Sequence, residues 1–99
     1  MLTIGSVVKS KVHILGNEIG TFGVIYEEYN LGDGHGVSII FENGNYDGFS
    51  EDEQDTYVEE IGFNSKCSNY KFSDVMKVSQ DFKIGKFDSA LKDKKFKSI

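Results

Sequence analysis

The sequence predicts a mainly β domain of the α+β class, and three observations carry that reading. Short runs of β-branched and aromatic residues, separated by Gly and Asn, fill the first half of the 99-residue chain. A helix-start signature at Ser50 and Glu53 follows the last of them. The final third then turns lysine-rich, with apolar residues spaced for short helical segments. The chain is expected to form one domain over 1–99, with strands over 4–49, a helix over 50–62, a late strand over 70–78 and a lysine-rich C-terminal segment over 79–99. Its length suits one modest core, and its 38% hydrophobic content suits a folded globule.

Val7-Val8 and Val12 to Leu15 read as an opening strand, bent if continuous, that ends at Gly16-Asn17. Val24 to Tyr29, VIYEEY, reads as a second strand after the Gly20-Thr-Phe-Gly23 turn. The segment Asn30 to Gly36, NLGDGHG, breaks regular structure, and Val37 to Phe41 resumes it as a third strand. Asn43-Gly44 turns that strand back into NYDGF, where Tyr46 and Phe49 supply apolar contacts. Ser50 and Glu53 form a capping box, and Glu51, Asp52, Glu53 and Asp55 sit where a helix dipole favours negative charge. Tyr57, Val58 and Ile61 lie on one helical face, and Gly62 suits a left-handed end, so the helix is expected near 51–61. Tyr70, Phe72, Met76 and Val78 alternate as the late strand, with Asp74 out of phase, and Ser79 and Asp88 are candidate caps for short C-terminal helices.

The stretch from Asn43 to Gln54 also runs close to a calcium-binding EF-hand loop. That loop needs a preceding helix, an apolar eighth residue and a bidentate Glu at position twelve. Here a β-branched run precedes it, the eighth residue is Ser50 and the twelfth is Gln54. A hairpin followed by a capped helix uses Asn43-Gly44, Ser50 and Glu53 each in a role that suits its type.

The order IGSVVKS at 4–10, VHILGNEIGTFGVIYEEY at 12–29 and GVSIIFENGNYDGF at 36–49 resembles a small SH3-like barrel of the kind seen in KOW-type modules. The resemblance covers about half the chain and implies a barrel of roughly five strands. Such barrels bind proteins, peptides or nucleic acids, so the resemblance implies a fold more than a function.

The charge is divided along the chain. Residues 1–65 carry twelve acids against Lys9 and Lys11, whereas residues 66–99 carry nine lysines against Asp74, Asp81, Asp88 and Asp93. Eleven acids and no Lys or Arg lie from Glu27 to Glu60. With no Arg and six acids in the barrel segments, nucleic-acid binding through the barrel is not expected, although the lysines from Lys83 to Lys97 remain available to phosphates. His13, His35 and Cys67 match no nucleophile or metal-ligand spacing, and no Pro, Ser-rich linker or internal repeat occurs. No enzyme activity, cofactor or metal is therefore expected. No apolar run approaches the ~18 residues of a membrane helix, and the N-terminus lacks a basic start followed by an apolar stretch. With a single cysteine this favours the cytoplasm of a bacterial host, and the Lys, Asn, Ile and Phe bias points to AT-rich coding, as in a phage or mobile element.

The expectation for function is a non-enzymatic protein-binding module or small inhibitor. Its acidic, aromatic face would comprise Glu27, Glu28, Tyr29, Asp33, Tyr46, Asp47, Glu51, Asp52, Asp55 and Glu59, and its partner would be a basic protein that handles nucleic acid or serves defence. The alternatives are a small-molecule or metal-binding module at the glycine-rich loops and a nucleic-acid adaptor acting through the lysine-rich C-terminus.

Overall fold

A computed structural model describes residues 2–30, 32 and 34–99. Its order is β1 (Ser6–Ser10), β2 (Phe22–Asn30), β3 (His35–Phe41), β4 (Tyr46–Phe49), α1 (Glu51–Tyr57), β5 (Val58–Phe63), a 3₁₀ turn (Cys67–Asn69), α2 (Val75–Lys83), α3 (Asp88–Leu91) and β6 (Lys97–Ser98). The six strands form one antiparallel sheet in the order β4-β3-β2-β1-β5-β6. β4 and β6 are its two edges, so the sheet is open, and the closed barrel implied by the resemblance is not formed by strand pairing. No helix among the described residues is long and apolar enough to cross a membrane.

The continuous apolar runs follow from burial on both faces of the sheet. Val7, Val24, Tyr26 and Ile40 face a cluster completed by Cys67, Val78, Ala90 and Leu91 from the 3₁₀ turn, α2 and α3, and by Phe87 just before α3. Val8, Ile25, Val37, Ile39 and Phe41 face the other way, against Phe49, Val58 and Leu2. Neighbours such as Val7 and Val8 are both fully buried because each serves a different layer. Two bulges bend the sheet. Tyr26 is the extra residue between the pairs Ile25 with Ile39 and Glu27 with Ser38, and Ile61 is extra between Val7 with Gly62 and Val8 with Glu60.

The hairpin prevails over the calcium loop. Phe41 N donates to Asn45 O at 3.0 Å and Gly44 N to Phe41 O at 2.9 Å, with Gly44 at φ +86, where a side chain is disfavoured. The amides of Asn43 and Asn45 both donate to Leu15 O, at 2.9 and 2.7 Å, which ties the hairpin tip to the loop after β1. That loop replaces the expected continuation of the opening strand through Leu15. Ser10 ends β1 because its Oγ accepts from Thr21 N and donates to Glu18 O, folding the chain back at once.

Three boundaries differ from the sequence reading. The helix over 50–62 is confined to Glu51–Tyr57, and Val58 to Phe63 form β5 instead. β1 offers a second edge, and pairing Ser10 with Val58 through Ser6 with Phe63 satisfies it. Gly62 is therefore no helix cap; a Cβ there would overlap the Phe96 ring, so its role is close approach. The late strand over 70–78 is also absent. Tyr70 and Phe72 lie in an extended segment packed on the core, and α2 begins after Asp74, whose carboxylate accepts from Lys77 N at 2.8 Å. The out-of-phase Asp74 is thus an N-cap. Ser79 lies inside α2, and α3 starts behind Phe87 with no side-chain cap, so neither Ser79 nor Asp88 caps a helix.

Candidate functional site: an acidic cleft between α1 and β5

α1 is set in place from both ends. Ser50 Oγ accepts from Glu53 N at 3.4 Å while Glu53 Oε1 accepts from Ser50 N at 2.9 Å, completing the capping box, and these bonds hold the Glu53 carboxyl below its ordinary value. Gln54, buried to 7% exposure, donates through Nε2 to His35 O at 3.0 Å and Phe49 O at 3.1 Å. The residue that fails as a calcium ligand is therefore the donor that fastens α1 to β3 and β4. At the other end Lys11 Nζ donates to Asp55 O at 2.6 Å, a cation at the carbonyl end of the helix, and Lys11 N donates to Tyr57 O at 2.8 Å.

This docking leaves a cleft of about 290 Å³ beside α1, lined by Leu2, Lys11, Gln54, Asp55, Val58, Glu59 and Glu60. Among the described residues the carboxylates of Asp55, Glu59 and Glu60 make no hydrogen bond or ion pair, and Lys11 is the one cation in the lining. Glu59 stands opposite Lys9 in the β1–β5 register, without a side-chain bond between them.

The expected acidic, aromatic face is divided by the fold. Asp55 and Glu59 both line the cleft, and Glu51 and Asp52 lie one turn away on α1. Glu51 Oε1 accepts from His35 N at 3.3 Å, and Asp52 is exposed. The remaining acids have internal work. Glu27 Oε1 accepts from Ser38 Oγ at 2.6 Å. Glu28 meets His35 Nε2 at 3.0 Å and accepts from Ile4 N at 3.1 Å; the His35 bond first, then the Ile4 amide, outweigh burial and hold its carboxyl below the ordinary value. Asp47 Oδ1 accepts from Gly48 N at 2.7 Å. Asp33 lies outside the described residues.

Neither expected aromatic is a free recognition ring. Tyr29 is half-buried against Gly36 and Gly48, both of which lack the side chain that would collide with it. Tyr46 packs edge-on to Tyr26 at 6.2 Å, and Tyr26 centres a set that includes Phe72 at 5.4 Å and Phe87 at 6.3 Å. Burial pushes the Tyr26 hydroxyl up to about 12.

Glu60, absent from the expected face although its neighbour Glu59 was in it, also lines the cleft; the pairing of Glu60 with Val8 that places it is not visible in a stretch that reads as helix. The lysine end holds a second feature with no counterpart in the sequence reading. Asp81, only 1% exposed, accepts from Tyr70 Oη at 2.7 Å and is ion-paired through Oδ1 with Lys77 at 3.3 Å and Lys86 at 3.4 Å. Burial drives its carboxyl up, but the Tyr70 hydroxyl and the two ammonium groups outweigh this and hold it below its ordinary value. The i,i+4 spacing of Lys77 and Asp81 was the available signal.

Comparison of the chain with protein-family models, curated proteins and solved structures finds no match in any of the three.

Proposed function

We propose that the chain is a non-enzymatic binding module that receives a lysine or arginine side chain of a basic protein in the cleft between α1 and β5. The observation that carries this reading is that Asp55, Glu59 and Glu60 all line one cleft with a single lining cation. That lysine is already engaged with a backbone carbonyl, which leaves the three carboxylates to attract an outside cation. Gln54 and the capping box hold α1 rigid beneath them, so a partner meets preorganised charges.

The reading suits a small inhibitor acting in the cytoplasm on a nucleic-acid-handling or defence protein, and the AT-rich coding bias is what supports a phage or mobile-element origin. An SH3-like scaffold remains the favoured description of the sheet: the bulged β2, the β3–β4 hairpin and the return of β5 to β1 support it.

The test is kinetic. A partner captured from the native host is bound to the wild type and to the triple variant Asp55→Asn, Glu59→Gln, Glu60→Gln across a salt series. The expected outcome is a slower on-rate and a shallower salt dependence with folding unchanged. An unchanged rate and salt slope would reduce the cleft to a solvated acidic surface.

A further inference from the structure

β5 is paired to different extents on its two sides. Along β1 it is matched from Val58 to Phe63, whereas β6 matches only Gly62 with Ser98 and Phe63 with Lys97, and Ile99 N donates to Ile61 O at 3.4 Å. Among the described residues no strand pairs with Val58, Glu59 or Glu60 on the side away from β1. Lys11 N donates to Tyr57 O, so the Tyr57 carbonyl points towards β1; alternation along the strand then turns Glu59 to that side, and Val58 and Glu60 to the open edge. Val58 N donates to Gln54 O at the end of α1, which leaves Val58 O and both backbone groups of Glu60 as a short edge ready for pairing.

The acidic cleft lies along this edge. The side chains of Glu59 and Glu60 leave opposite faces of the strand, yet both line the cleft together with Val58, and only an edge borders both faces. β1 occupies the other edge, so the cleft borders the open one. Charge then selects the occupant. The two carboxylates repel a second copy of the same edge and attract a cationic chain. The segment that β5 already accepts next to this stretch, β6, is itself extended and carries Lys97. Adjacent lysines on an incoming strand would place one ammonium group on each face, one beside Glu59 and one beside Glu60.

We propose that β5 recognises an extended, lysine-bearing segment of its protein partner by strand addition, the segment pairing antiparallel with Val58 to Glu60 in line with β6. The proposal rests on the reading of the cleft as a cation-binding surface and adds the backbone pairing that fixes the partner's conformation.

Calorimetric titration of the full chain with a capped hexapeptide, two central lysines flanked by threonine and valine, tests it. Two further versions carry N-methyl groups on alternate backbone amides, one at odd and one at even positions. Each keeps every side chain and charge but blocks pairing along one edge of the peptide only. One version should bind like the parent and the other about tenfold or more weaker, through the loss of one or two hydrogen bonds. The parent should also slow hydrogen exchange at the Glu60 amide. Equal affinity for all three peptides, an equal loss in both methylated versions, or unchanged exchange at Glu60 overturns strand addition. If methylation has no effect while Asp55→Asn, Glu59→Gln, Glu60→Gln weakens binding, the cleft still receives a cation and the strand pairing alone is refuted. No saturable binding of the parent overturns both.

Discussion

Asp81→Ala is expected to be the most destabilising single change outside the apolar core. The variant removes a charge-assisted bond from the Tyr70 hydroxyl at 2.7 Å, a class that contributes about 1.5–3 kcal/mol. It also removes two ion pairs, but Lys77 and Lys86 keep 45% and 48% of their side-chain surface, so solvent screens them and together they add about 1 kcal/mol at most. The sum is about 3 kcal/mol, which for a domain of this size corresponds to a fall in Tm of roughly 12–24 °C. Tyr70→Phe alone should lose about 1.5–2 kcal/mol, because it strands one buried carboxylate oxygen. The double variant separates the Tyr70 contribution from the rest: urea midpoints for wild type, both singles and the double should return a coupling of about 1.5 kcal/mol. A coupling below about 0.5 kcal/mol would refute the claim that the tyrosine hydroxyl contributes more than the two lysines to holding a charge at that depth.

Ser50→Ala should lower stability by about 1 kcal/mol, read as a shifted denaturant midpoint, since Glu53 N loses its acceptor; an unchanged midpoint would argue that the cap is dispensable. Stability should also fall on acidification. Asp81 and Glu28 both hold carboxyls below their ordinary values of 3.8 and 4.5, so their contribution is complete above those values and is lost as pH falls through the lower folded-state values. Urea midpoints that stay flat from about pH 6 to about pH 3 would contradict this. Cys67 is 2% exposed and burial pushes its thiol up, so a disulfide-exchange reagent should react with it only on unfolding; rapid labelling of native protein would show that the 3₁₀ turn opens.

The elements that were legible in the sequence are those with a local cause. β2, β3 and the hairpin at Gly44 follow from β-branched runs and a glycine turn, and the Ser50–Glu53 box appears in the structure as the sequence reads it. What was not legible depends on a distant partner. Val58 to Phe63 has an apolar spacing that a helix would also produce, and only the open edge of β1 decides for a strand. Asp74 interrupts an alternating pattern that describes a strand over 70–78, until its role as an N-cap explains the interruption. The acidic face was visible as a run of charge, but sequence order does not reveal which acids already have donors. Ser38, His35, Ile4 and Gly48 occupy Glu27, Glu28 and Asp47, whereas Asp55, Glu59 and Glu60 line the cleft where α1 meets β5.

The central claim, that this cleft is the binding surface, is tested most directly by mapping amide chemical shifts during titration with a short lysine-rich peptide. The account predicts perturbations centred on Asp55, Glu59 and Glu60, with Lys11 at their margin, that vanish in the Asp55→Asn, Glu59→Gln, Glu60→Gln variant. Shifts spread evenly over every acid in the sheet, or shifts that persist in the triple variant, would contradict it.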